Sequence, residues 1–176
     1  MAKEDNIPSS RRRMVICGVA AVLICLVTVF SIEWTLGRRT VGSELDSHIY
    51  SSSTFRLLSV SFGEDDPEEQ LFLFNYDSRY NDSFKFEFDE DSDSYLILYT
   101  YEGRDMFLCS TADHELHLSE DDLGSSCRWN VDRIGSSMYY LIINEEDGLA
   151  ICETDDCHVV MSAPDEEEPL MQMRLQ

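Results

Sequence analysis

The sequence predicts an all-β exterior domain of the β-trefoil kind, three units of four strands, preceded by one transmembrane helix. Three observations lead there: short apolar/polar alternation from residue 46 onward, a gapless internal echo, and a long apolar run near the N-terminus.

The alternation comes in stretches of four to eight residues separated by Asp, Glu, Ser and Gly clusters, the pattern of strands and hairpins. In order they are HIYSS (48 to 52), FRLLSVSF (55 to 62), QLFLFNY (70 to 76), SFKFEFD (83 to 89), YLILYTY (95 to 101) and MFLCST (106 to 111). ELHLSE (115 to 120), CRWNVDRI (127 to 134), YYLIIN (139 to 144), LAICET (149 to 154), HVVMSA (158 to 163) and PLMQMRL (169 to 175) complete twelve. No window holds apolar residues at helical spacing for three turns.

The echo selects among all-β folds. MFLCSTADHELHLSEDD (106 to 122) and LAICETDDCHVVMSAPD (149 to 165) align without a gap, matching Cys109 with Cys152, Thr111 with Thr154, Asp113 with Asp156 and Ser119 with Ser162. Leu116 and Leu118 fall on Val159 and Met161. Three four-strand units of about 44 residues fill the exterior portion, which is the arithmetic of a closed barrel capped by hairpins. Alternation alone is shared by sandwiches, so a jelly roll of eight to ten strands is the rival architecture.

Met14 to Ile32 is nineteen residues without a charge, long enough to cross a bilayer core of about 30 Å as a helix. Four Lys/Arg precede it (Lys3, Arg11, Arg12, Arg13) and two follow (Arg38, Arg39), which places the N-terminus in the cytoplasm. A signal peptide has a shorter apolar core, and the small residues Val41, Gly42 and Ser43 lie too far beyond it, so an uncleaved anchor is the preferred reading over a cleaved leader. The expected organisation is a cytoplasmic tail (1–13), a signal-anchor helix (14–36), a short stalk (37–45) and an extracellular domain (46–176), either retained at the membrane or shed.

An exported domain permits disulfides. Cys109, Cys127, Cys152 and Cys157 are the candidates, and three connectivities are open to them. Cys152 and Cys157 bracket a four-residue turn and could close it, leaving Cys109 with Cys127. Asn81-Asp82-Ser83 is a glycosylation sequon in a polar loop, with Asn81 as the acceptor.

Residues 45 to 176 hold 31 acidic groups against 7 basic ones, a net charge of −24. Binding to nucleic acid or heparin depends on Lys and Arg neutralising anionic groups, so both are excluded as partners, whereas a basic protein surface would be steered toward this domain.

The chemical motifs dissolve on inspection. His114 and His117 are three apart on a strand, facing opposite ways, not four apart on a helix as a zinc protease needs. A zinc site drawn from Cys109, Cys157, His114 or His158 ranks below the disulfide reading. Asp89 to Ser94 begins like a calcium loop but has Ser94 where Gly is required and Thr100 where Glu is required. No nucleophile elbow and no phosphate-cradling loop occurs. The expectation is therefore no catalytic residue, no cofactor and no metal.

The final LMQMRL resembles the last strand of the interleukin-1 family of β-trefoil cytokines. MFLCSTADHELHLSEDD is similar to that family's central hairpin, and YYLIINEEDGLAICET to the segment entering its tenth strand. The resemblance covers about 46 to 176 in architecture and 95 to 175 in wording. It implies a monomeric receptor ligand or antagonist that binds a cell-surface protein receptor through loops on a rigid barrel. The acidic turns Glu64 to Glu69, Asp89 to Ser94 and Glu145 to Gly148 are the expected contact surfaces. The alternative is a trimeric, tumour-necrosis-factor-like jelly roll or an adhesive ectodomain.

Overall fold

The computed structural model describes residues 46–63, 70–76 and 82–176. The expected anchor and stalk, Glu64 to Glu69 and Asn81 lie outside the described residues. The chain divides into two units, Met1–Arg38 and Arg39–Gln176, and every described residue belongs to the second. Among the described residues no helix is long and apolar enough to cross a membrane.

The described residues form thirteen strands in order: β1 Asp46–Ser47, β2 Ile49–Ser51, β3 Leu57–Phe62, β4 Gln70–Asn75, β5 Phe84–Asp89, β6 Ser94–Tyr101 and β7 Arg104–Ser110, then β8 Leu116–Ser119, β9 Arg128–Arg133, β10 Tyr140–Asn144, β11 Ala150–Glu153, β12 Val159–Ser162 and β13 Met173–Leu175. All twelve expected strands form, with ends shifted by a few residues. The extra one is the two-residue β1. PLMQMRL supplies only Met173–Leu175, because Met171 N bonds to Glu168 O and Gln172 N to Pro169 O in consecutive turns. Cys127, expected to start a strand, instead ends a 3-10 turn over Gly124–Cys127.

Antiparallel pairing runs β5-β6-β9-β10-β13-β2, and β1, directly before β2, pairs back onto β5. Six barrel positions thus close into a ring. His48 N donates to Gln176 O (2.8 Å) and Gln176 N to His48 O (3.1 Å), which stitches the seam between β2 and β13. Three hairpins, β3-β4, β7-β8 and β11-β12, hang from this ring. They join one another: Phe74 N donates to Cys157 O (2.8 Å), Leu73 bridges His158, and the Gln70 amide bonds both backbone groups of Leu118. This all-β, β-trefoil-like arrangement is one continuous sheet, not the two facing sheets of a jelly roll.

The internal echo is reproduced in the register. Leu108 pairs with Leu118 as Ile151 pairs with Met161, and Cys109 with His117 as Cys152 with Val160. The turns match as well: Thr111 N bonds Glu115 O and His114 N bonds Thr111 O, while Thr154 N bonds His158 O and Cys157 N bonds Thr154 O. His114 and Cys157 both hold a positive φ, at 62° and 75°.

Ring and hairpins share one core cluster, in which Trp129, Phe84, Phe86, Ile97, Leu108, Leu118, Ile142, Ile151 and Met173 are all fully buried. The alternation explains their direction: in FKFEF the two first Phe face inward and Lys85 and Glu87 outward. Burial of each such side chain contributes roughly 1.5–3 kcal/mol. The Trp129 indole N–H is satisfied by Leu108 O at 2.7 Å. Asp82, also buried, accepts from Val60 N and from the Tyr99 hydroxyl, tying β3 to β6. Burial, then this carboxylate, pushes the Tyr99 phenol well above its ordinary value.

Cys109 and Cys127 form a disulfide. The turn-closing pairing that the sequence left open does not form: Cys152 and Cys157 are both free. Cys152 points inward among Leu141, Ala150 and Met171, whereas Cys157 sits at the left-handed turn position of the hairpin. Bracketing a turn in sequence does not bring two thiols together when one belongs to the core and the other to the tip. Burial raises the Cys152 thiol pKa, with Glu168 and Glu153 adding to it.

Candidate functional site

Of the acidic turns, the two within the described residues come together. Ser94 at the end of one donates to Glu145 Oε2 of the other (3.4 Å), and Glu145 N donates to Arg128 O (2.9 Å). Barrel closure places β6 beside β9 and β9 beside β10, so segments about fifty residues apart become neighbours.

Arg128 organises this face. Its Nε donates to Asp89 (3.1 Å), and its Nη1 and Nη2 form a fork on Asp122 (2.9 and 2.8 Å). Pairing with Arg128 first, and Gly124 N second, holds the Asp122 carboxyl below its ordinary range against partial burial. Asp89 is lowered chiefly by Asp91 N, with Ser92 and Arg128 adding to it. One cation fixes two carboxylates, and Asp91, Asp121, Glu145 and Glu146 stand exposed around them.

Beside this cluster lies a hollow of about 490 Å³ lined by Ser110, His114, Leu123, Asn144, Glu146 and Asp147 among others. Asp147 is its fixed point, accepting from Ser110 Oγ (2.8 Å) and Leu149 N (2.9 Å) and facing His114 Nδ1 at 3.2 Å. Burial would raise the Asp147 carboxyl, yet these hydrogen bonds outweigh it and the net shift is downward. The hydroxyl donates to the carboxylate, which is the opposite of a serine held by a histidine base. Asn144 is spent on the fold, donating to Ser126 O (2.7 Å) and accepting from Glu146 N. Leu123, half-exposed, supplies an apolar spot, and the Cys109–Cys127 bridge fixes the 3-10 turn behind it.

His114 and His117 are parted. His117 lies across from Cys109 on β8 and lines a second hollow, of about 770 Å³, with Phe62, Gln70, Tyr101 and Met106. There the Phe62 and Tyr101 rings stack at 3.9 Å, and Arg104 pairs with Glu120 at the rim. His158 faces Asp156 at 3.9 Å. Among the described residues no group of three His, Cys, Asp or Glu side chains is placed to hold a metal ion. Sequence reasoning missed Arg128, which reads as an ordinary strand residue. Its signal was scarcity: a cation in so acidic a domain has carboxylates to collect.

No protein-family model and no curated protein matches the chain. Solved structures do. The chain is similar to Cry35Ab1 (TM-score 0.64, 12% identity, covering 77% of this chain and 36% of that one). It is also similar to ThreeFoil, a designed 3-fold symmetric protein (0.55, 14%, 73% and 96%). A third likeness is to a salivary protein of Culex quinquefasciatus from the cysteine- and tryptophan-rich family (0.58, 11%, 74% and 91%). The chain thus spans about a third of the length of Cry35Ab1. At such identities these likenesses show the β-trefoil-like fold.

Proposed function

We propose that this chain is a type II membrane-anchored, non-catalytic ligand or antagonist, interleukin-1-like in kind, which binds a basic surface of a cell-surface protein receptor. The observation that carries the reading is the meeting of the Asp89–Ser94 and Glu145–Gly148 turns around Arg128. Loops on a closed barrel hold a fixed shape, and an acidic face steers a basic partner into register. The charge of residues 45 to 176 acts in the same direction. Residues 14 to 36, with the apolar run Met14 to Ile32, supply the anchor, and the domain acts attached or shed.

The test uses the full-length chain in lipid nanodiscs, fluorescently labelled, on receptor-bearing cells before and after mild surface proteolysis. Expected is saturable, protease-sensitive binding that weakens as salt rises. The double variant Asp91→Lys/Glu146→Lys should lose about tenfold, chiefly in association rate. Binding that survives proteolysis, or ignores the charge reversal, would reject the proposal.

A further inference from the structure

Two turns of this domain are built on the same hydrogen bonds but carry different residues. In the third unit Gly148 N donates to Asn144 O and Asn144 N donates to Leu149 O. In the first unit Phe55 N donates to Ser51 O and Ser51 N bonds Arg56 O. Gly148 and Phe55 are therefore equivalent, and both are left-handed, with φ of 69° and 58°. Glycine takes that conformation freely, whereas an aromatic residue takes it against steric clash of its Cβ. Phe55 gains no burial in return, being 67% exposed.

The exposed ring has company on a rigid base. Tyr76 is 69% exposed, and the Arg56 guanidinium lies 4.8 Å from its ring centroid. Arg56 is fixed by the fully buried Glu153 (2.8 Å), which also accepts from Thr54 (2.7 Å). Ser52 bonds Gln172 O and Pro169 O, and Gln172 bonds Glu166 O, so the exposed Asp165, Glu166 and Glu167 edge the same turn. An aromatic centre with a charged rim, held in place before contact, is the make-up of an interface hot spot.

We infer that Phe55 and Tyr76, with Arg56 between them, form a docking site for a protein that presents an apolar pocket edged by Lys and Arg. The site is separate from the Arg128 face and rests on the receptor reading only in taking the partner to be a protein. A strained residue that serves no packing role belongs to contact with something outside the domain.

The experiment compares full-length wild type with Phe55→Gly and Phe55→Asn, both of which tolerate the turn. Three measurements are made: the thermal unfolding midpoint, affinity for a synthetic peptide with a Leu/Phe face flanked by Lys and for its Glu-flanked counterpart, and the protease-sensitive cell binding described above. Expected are midpoints at or above wild type, at least tenfold weaker binding of the Lys-flanked peptide and of cells, and no binding of the Glu-flanked peptide. A midpoint lowered in both variants would make Phe55 structural and overturn the inference. Lys-flanked peptide binding that is absent, or equal in all three chains, does the same. Cell binding retained by both variants but lost on charge reversal at Asp91 and Glu146 ends this inference and leaves the receptor reading standing. Wild type that binds no cells ends both.

Discussion

Cys109 and Cys152 occupy the same place in two equivalent hairpins, and only Cys109 is bridged. The difference lies in what stands nearby: the 3-10 turn brings Cys127 to Cys109, while Cys152 meets Leu141 and Met171. The bridge closes a span of 18 residues. Replacing both Cys109 and Cys127 by Ala should lower unfolding free energy by about 3 kcal/mol, read from denaturant titration, and wild type with reductant should approach the variant. In native protein, Cys157 should alkylate well before the buried Cys152.

Glu153 is a buried carboxylate whose partners are Arg56 and Thr54. Removing Arg56 strands the buried Glu153 carboxylate, so Arg56→Met should lower the unfolding free energy, read from denaturant titration. The double change Arg56→Met/Glu153→Leu should recover much of that loss. A double variant no more stable than the single one would show that the pair is not coupled.

Arg128 sets an acid-dependent term in stability. The Asp122 carboxyl is depressed in the folded state chiefly by Arg128, and Asp89 chiefly by Asp91 N with Arg128 adding to it, so the Arg128 contribution is complete above the unfolded value near 3.9 and fades as pH falls through the lower folded values. Arg128→Gln should therefore unfold earlier than wild type at pH 7, and the gap should narrow below about pH 4. Unfolding midpoints measured between pH 7 and pH 2.5 check this; a gap that is constant with pH would contradict it.

Gln70 joins two hairpins by donating to Leu118 O and accepting from Leu118 N. Gln70→Glu keeps the shape and the acceptor but removes the donor, leaving the Leu118 carbonyl unpaired. A loss of about 1–3 kcal/mol is expected at neutral pH, read from denaturant titration.

The architecture was legible because repetition survives in the local wording: Leu108/Leu118 and Ile151/Met161 are matched core pairs. The strands were legible because one face is buried, as Phe84 and Phe86 show. What stayed hidden depends on barrel closure or on backbone conformation. Nothing in the sequence joins Ser94 to Glu145, and their contact follows only once β6, β9 and β10 lie side by side. Phe55 reads like any strand aromatic, since period-2 patterning cannot report a positive φ. Cys152 and Cys157 misled for the same reason: proximity in sequence carries no information about which thiol faces the core.

The reciprocal bonds between His48 and Gln176 also set an order in time. The partner strand that β2 needs on one side is the last strand of the domain to be made, so the ring cannot shut before β13 has been synthesised. Hairpins such as β7-β8, local in sequence, can form early, whereas the seam joins the most distant residues of the fold. Until β13 arrives, β2 lacks a partner on that edge, and the dense negative charge of residues 45 to 176 opposes its pairing with neighbouring copies.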